Sequence, residues 1–262
     1  MISDIVDIII IYILLIETYH SKSLYKKLIS VLLLIAVVLA ACDFLGKRVK
    51  GNGHAVTENR TVRDASRIHV LGSYDVQLSP GTAGVKVEAD ENLQPYIITQ
   101  NEGDQLIVKT RDGVNLHLSN PIKIYISTDK LEEISISGAG SVNGTDKFVG
   151  GDRLMISLSG VGNLNLLVNT PKIIGHISGA GSMTVSGETR DAEVQVSGVG
   201  SFKGNNLKAE NVKIQVSGTG NANVYASSTL DVSISGIGSV NYSGNPTIQQ
   251  HISGMGSVKK VD

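Results

Sequence analysis

The sequence predicts an all-β protein, a single-stranded parallel β-helix of rungs of about 18–22 residues, with an irregular N-terminal β region. Three observations carry that expectation. A Ser-Gly-x-Gly tetrapeptide returns seven times, its serines 22, 19, 19, 20, 18 and 18 residues apart, and a period near 20 marks stacked rungs. Apolar and polar residues alternate with period 2 after residue 60, as in Ile122, Ile124 and Ile126. Turn signals such as Ser79-Pro80-Gly81, Arg111-Asp112-Gly113 and Asn120-Pro121 separate these runs, and no helical periodicity of useful length appears among them.

Residues 1–41 read as a signal region. Lys22, Lys26 and Lys27 precede an apolar run over residues 28–38, closed by Leu39-Ala40-Ala41 before Cys42, the single cysteine of the chain. Residues 1–21 hold a shorter apolar run interrupted by Asp7 and flanked by Asp4 and Glu17, too short to span a bilayer. The plain expectation for them is a start assigned too far upstream, and cleavage before Cys42 would remove them in any case. Leu-Ala-Ala-Cys resembles a bacterial lipobox. That resemblance implies cleavage before Cys42 and acylation of its thiol, so the expected partner is a membrane, held through a lipid anchor. The expected address is the cell envelope, at the outer membrane or the periplasmic face. Residues 42–60 are polar and glycine-containing and read as the tether.

Residues 61–133 are expected to form either a few irregular rungs or an antiparallel layer that caps the coil, since a bare solenoid end exposes strand edges. Residues 134–262 hold the regular repeats. Their corners are Gly138 and Gly140, Gly160 and Gly162, Gly179 and Gly181, Gly198 and Gly200, Gly218 and Gly220, Gly236 and Gly238, and Gly254 and Gly256. Glycine belongs there because the chain must turn where a side chain would clash or where φ is positive. Serine hydroxyls are expected to stack as a ladder along the corner. Right-handed winding is expected from common practice in such folds.

The repeated Ser-Gly-x-Gly strands, the stretch from Ile68 to Leu78 and the lipobox together resemble the putative auto-transporter adhesin, head GIN domain family. The resemblance covers residues 61–258. It implies a β-helical envelope protein and supplies no catalytic motif.

Composition narrows the chemistry. A net charge of -1 gives no basic excess for nucleic acid, and one cysteine excludes a disulfide framework and a cysteine-based zinc site. Two residues before each motif serine stand Ser135, Ser157, His176, Gln195, Gln215, Ser233 and His251, a polar exterior ladder. Its two histidines lie four rungs apart, about 19 Å at the strand spacing, too far to share a metal. Glu193, Lys213 and Asp231 occupy equivalent positions on successive rungs and suit an exposed ion-pair ladder. Asp146 and Asp152 flank Gly150-Gly151 on a loop.

The calcium-binding nonapeptide and the phosphate-binding glycine loop are absent, so no cofactor is expected. The chain has no tryptophan, and Tyr74, Tyr96, Tyr125, Tyr225 and Tyr242 are scattered, with Tyr225 and Tyr242 near enough for a small aromatic patch.

The reading is a non-catalytic binding or adhesion module that offers a flat polar surface to a glycan or a protein. A polysaccharide-processing enzyme is the first alternative, and requires an acidic cleft near Asp146, Asp152, Glu188 or Asp191. An envelope structural or assembly protein is the second, and requires an uncapped apolar terminal rung near Ile252 and Val258.

Overall fold

The computed structural model describes residues 46–261. The chain begins with strands β1 (Lys47–Lys50), β2 (Ala55–Arg60), β3 (Arg67–Leu71), β4 (Asp75–Pro80) and β5 (Gly84–Asp90). A short 3₁₀ helix, Glu91–Tyr96, leads to β6 (Ile97–Glu102), β7 (Gln105–Thr110), β8 (Val114–His117) and β9 (Lys123–Thr128). Longer strands follow: β10 (Glu133–Val149), β11 (Leu154–Asn169), β12 (Lys172–Ile177), β13 (Ala180–Val196), β14 (Ser201–Val216) and β15 (Asn221–Ile234). The last are β16 (Ser239–Ser243), β17 (Thr247–Ile252) and β18 (Ser257–Lys260).

From β10 onward each rung pairs in parallel with the next, and the chain winds a β-solenoid of about 6 turns. The all-β coil read from the motif period is therefore the fold. Among the described residues no helix is long and apolar enough to cross a membrane.

The register shows why this sequence closes. Ile136, Leu158, Ile177, Val196, Val216 and Ile234 stack in one inward column, each at most 1% exposed. Val142, Leu164, Met183, Phe202, Ala222 and Val240 form a second column. Neighbouring rungs compensate for one another's bulk. Phe202, among the largest fully buried side chains, stacks on Ala222 and covers Gly204, where a Cβ would lie 2.5 Å from the ring. Gly175 in turn leaves room that Met183 and Val194 fill. Alternating large and small residues keep the interior close-packed without forcing rungs apart.

The N-terminal region joins two solutions to the end problem. β3 and β4 form a rung beneath β10, and β7 and β9 form another beneath β3 and β4. The outermost rung therefore comes later in the chain than the one it supports. Antiparallel strands then close that end: β6 on β7, and β5 on β9 with β2 outside it. An out-of-order rung and a reversal of strand direction leave no signal in apolar alternation, which has the same period in both directions.

Two buried polar residues bind this cap. Asp90 is 0% exposed and accepts hydrogen bonds from the backbone N–H of Ser119 at 3.1 Å and the side-chain amide of Asn120 at 2.6 Å. Gly51 must be glycine, since a Cβ there would meet the Asp90 carboxylate at 1.8 Å. Gln94 donates to the carbonyls of Val56 and Val87 and accepts from Arg60, which ties β2 to β5.

Candidate functional site

The geometry of the corners dictates which side chains can leave the coil. At the first motif glycine, a Cβ would lie 2.0 Å from the preceding rung's carbonyl oxygen at Gly179 and 2.3 Å at Gly198, Gly218, Gly236 and Gly254. At the second, it would meet the preceding rung's carbonyl oxygen at Gly162, at 1.9 Å, and at Gly238, at 2.4 Å, and would drive into the core at Gly200, 2.5 Å from the Ile177 side chain, and at Gly256, 2.6 Å from Ile234. Of the corners, only Gly138 and Gly160 also have positive φ. Close approach of stacked backbones, rather than a left-handed turn, is the general requirement.

The residue between the two glycines therefore points outward. Ala139, Val161, Ala180, Val199, Thr219, Ile237 and Met255 form a continuous stripe along the coil. Val161 is 61% exposed, Val199 68%, Ile237 52% and Met255 76%. Beside it runs the position after the motif, where Ser201 Oγ donates to Ser182 Oγ at 3.2 Å and Ser239 Oγ donates to Asn221 Oδ1 at 2.7 Å. Two residues further on, Asn165 donates to Asn143 at 2.8 Å and Asn241 to Asn223 at 2.9 Å. The polar ladder is thus built by the residues after the motif. The motif serines stand exposed beside it.

Between stripe and ladder lies a shallow trough of about 420 Å³. Val161, Ala180, Val199 and Thr219 make one lip, Asn163, Ser182, Ser201 and Asn221 the other, and the backbone of Gly162, Gly181 and Gly200 the floor. No charged side chain lines it. The arrangement can hold a neutral chain with one apolar and one hydrogen-bonding edge, and offers no acid, base or nucleophile stronger than a serine hydroxyl.

Other residues singled out from the sequence fall elsewhere. His176 and His251 do belong to one exterior ladder, which the register extends to His69. Glu193, Lys213 and Asp231 are register neighbours, although Glu193 forms its ion pair with Lys172, at 3.6 Å. Asp146 and Asp152 are exposed. Asp191 accepts from Asn211 at 3.0 Å and Arg190 at 2.9 Å, and these two bonds hold its carboxyl below the usual range. It is an ionised structural acceptor rather than a proton donor. Glu188 lies in a second groove with Glu210, but Arg190 and Lys208 line the same groove.

The tyrosines do not make a platform. Tyr74 is buried and bonded to Thr110 at 2.6 Å, and Tyr125 donates to Glu88 at 3.0 Å. The Tyr225 ring is covered by the Lys208 ammonium at 4.1 Å. Tyr242 pairs with Val224, one residue off Tyr225, so it turns inward and packs on the core. That one-residue offset dissolves the expected aromatic patch, because side chains alternate faces along a strand. Among the described residues no group of three or more His, Cys, Asp or Glu side chains could hold a metal ion. Cys42 lies outside the described residues.

The apolar stripe occupies the one motif position that varies from repeat to repeat, which is why the motif itself does not announce it. Its signal is the column Ala, Val, Ala, Val, Thr, Ile, Met read down the seven repeats.

A family model described as putative auto-transporter adhesin, head GIN domain, matches residues 65–246. Among solved structures, the chain is similar to a putative adhesin from Bacteroides fragilis NCTC 9343, at 23% identity and a TM-score of 0.78, over 81% of this chain and 100% of that one. It is similar to a putative lipid binding protein from Parabacteroides distasonis ATCC 8503, at 26% identity and a TM-score of 0.70, over 82% of this chain and 100% of that one. A putative adhesin from Parabacteroides merdae ATCC 43184 shares 24% identity at a TM-score of 0.63, over 82% and 100%. No curated protein matches the chain.

Proposed function

From a chain that belongs to the putative auto-transporter adhesin, head GIN domain family, we infer a non-catalytic binding module of the cell envelope, lipid-anchored through Cys42, whose trough takes a neutral extended polymer. One observation carries this reading. Apolar side chains 52–76% exposed line up where the fold does not require them, since Thr219 occupies the same position in the same corner. Scattered surface apolar residues are ordinary, but a contiguous stripe marks a contact surface.

The lips define the ligand. Without charge in the trough, attraction comes from apolar contact on one side and exchangeable hydrogen bonds with Ser and Asn on the other. Each lip residue covered contributes only a fraction of the roughly 1.5–3 kcal/mol of a fully buried aliphatic side chain. Strength therefore comes from many equivalent rungs, spaced about 4.8 Å apart. A uniform polymer can settle in several registers one rung apart, which suits adhesion better than selection of a single small molecule. The similar Parabacteroides distasonis protein is named for lipid binding. An acyl chain needs enclosure, and the trough of this chain is open along its length.

The test is a binding screen of neutral and charged glycans and extended peptides with the full chain and with Val161→Ser/Val199→Ser/Ile237→Ser. The expected ligand is neutral, its affinity is insensitive to salt, and the triple variant loses it while melting at the wild-type temperature. An anionic or cationic ligand whose affinity collapses with salt would refute the assignment, as would full binding by the triple variant.

A further inference from the structure

The trough has a period, and a period constrains what can lie in it. Its lips repeat once per rung, about 4.8 Å. The apolar lip also alternates in bulk. Ala139, Val161, Ala180 and Val199 stand on successive rungs, so recess and ridge recur every second rung, about 9.6 Å. Thr219, as bulky as valine, ends the alternation. The backbone along the trough is already engaged between rungs. The carbonyls of Gly179, Gly198 and Gly200 accept from the N–H groups of Val199, Thr219 and Asn221 at 3.0, 3.0 and 3.1 Å.

Resting on the trough assignment above, we propose that its occupant is a neutral polysaccharide of pyranose rings joined through equatorial bonds at both ends, laid along the coil one ring per rung. Spacing supports this first. A pyranose linked equatorially at its first and fourth carbons is about as long as a rung is thick. In the extended chain each ring is turned over relative to the last, so the chain repeats every second ring, as the lip does every second rung.

Chemistry agrees with spacing. Such a ring carries C–H bonds on its faces and hydroxyls around its rim. A face leaning on the apolar lip brings one hydroxylated edge to the Ser and Asn lip. Turning over places the bulkier substituent on that edge at every second ring. The recesses at Ala139 and Ala180 let those rings sit back, and Val161 and Val199 press on the rings between. The polar lip can both donate and accept. Ser201 spends its hydrogen on Ser182 and keeps lone pairs, while Ser182 keeps its own hydrogen to give. Sugar hydroxyls need both.

Peptides fit less well. An extended peptide repeats its side chains every 6.6–6.8 Å or about that, out of step with the rungs. Lying lengthwise it crosses the strands, so it cannot add to a sheet edge, and its amides find no free backbone partner. A polyproline II peptide comes nearer in length, about 9.3 Å per turn, but such peptides dock in aromatic-lined grooves, and no aromatic residue lines this trough. An axially linked chain of the same sugar curves and leaves the straight lips after a ring or two.

The test is calorimetric titration of the full chain with cello-, chito- and xylo-oligosaccharides of two to six sugars. Malto-oligosaccharides, which differ from the cello series only in linkage, a neutral extended peptide and a proline-rich peptide are the comparisons. At least one equatorial series should bind, tightening several-fold with each sugar up to four, the number of rungs whose lip residues Val161, Ala180, Val199 and Thr219 line the trough, and levelling beyond. Malto-oligosaccharides should bind ten-fold more weakly or worse. Ala180→Leu fills a recess at an exposed position and should cost ten-fold or more at an unchanged melting temperature. If that variant does not fold, the comparison of linkages decides. Failure of all three equatorial series to bind at millimolar concentration would overturn the proposal, as would affinity independent of length or equal binding of malto-oligosaccharides or either peptide. If one of those comparison ligands binds and Val161→Ser/Val199→Ser/Ile237→Ser abolishes it, the trough stands and only the choice of polysaccharide falls. Binding of an equatorial series that survives both sets of substitutions refutes both.

Discussion

Substituting Gly198 by alanine isolates the physical demand of the corner. Gly198 does not have positive φ, so alanine brings no backbone strain there. The effect is steric. Its Cβ would lie 2.3 Å from the Gly179 carbonyl oxygen, about 1 Å short of contact distance. Relief requires the rungs to part, and the Val199 N–H bond to that same oxygen, 3.0 Å long, would stretch past bonding range. Losing one hydrogen bond costs about 1 kcal/mol, and overpacking adds roughly 1–3 kcal/mol. The reduced freedom of the unfolded chain returns about 0.4–1 kcal/mol. A net loss of roughly 2–3 kcal/mol should lower the melting temperature by about 5–10 °C for a chain of this size. Thermal unfolding followed by circular dichroism measures it, with Lys203→Ala, exposed one strand along, as the control that should not move. A Gly198→Ala protein melting within about a degree of wild type would refute the reasoning, because an overlap of that size cannot be absorbed without separating the rungs.

Phe202→Ala should cost about 3–5 kcal/mol, since the ring is 1% exposed and neighbouring Ala222 and Gly204 cannot fill the void; urea unfolding reads the loss. At Asp90, burial pushes the carboxyl up, but hydrogen bonds from the Asn120 side chain and the backbone of Ser119, Asn120 and Gly53 outweigh it and hold the group below its ordinary 3.8. A lowered folded value contributes stability that is complete above the ordinary value and lost as pH falls through the folded one. Wild type should therefore lose stability in acid more steeply than Asp90→Asn, a difference that melting curves across that range test directly. Radiolabelled palmitate should enter the wild-type protein in cells and fail to enter Cys42→Ser; retained label would refute the anchor.

The coil is legible in the sequence because its two signals are local and periodic. Inward positions such as Ile136, Leu158 and Ile177 recur at the motif period, and each corner announces itself with two glycines. The N-terminal order is not legible. Ile68 and Leu106 look alike in sequence, yet they occupy successive rungs whose order along the coil is reversed relative to the chain. Only long-range pairing decides that. The Asp90 knot is hidden for a related reason: its donors, Ser119 and Asn120, come from a turn some thirty residues away. The aromatic patch fails on a single residue of register, a distance below the resolution of any period count.

The trough raises a different question, because fold and site share the same atoms. Both corner glycines are fixed by contacts of the coil itself, the first against the rung below and the second against that rung or the core. Neither can be varied for recognition without opening the stack. The intervening position is the only corner side chain with room, and it is solvent-facing whatever its identity. Stability therefore places no premium on Val161, Val199, Ile237 or Met255, and solubility disfavours them, since exposed aliphatic side chains in a row invite association. Their presence needs a cause outside the fold, and contact with a ligand supplies one. The same logic locates where such proteins can diversify: along the stripe and the neighbouring Ser and Asn ladder, rung by rung, over a glycine backbone that stays constant.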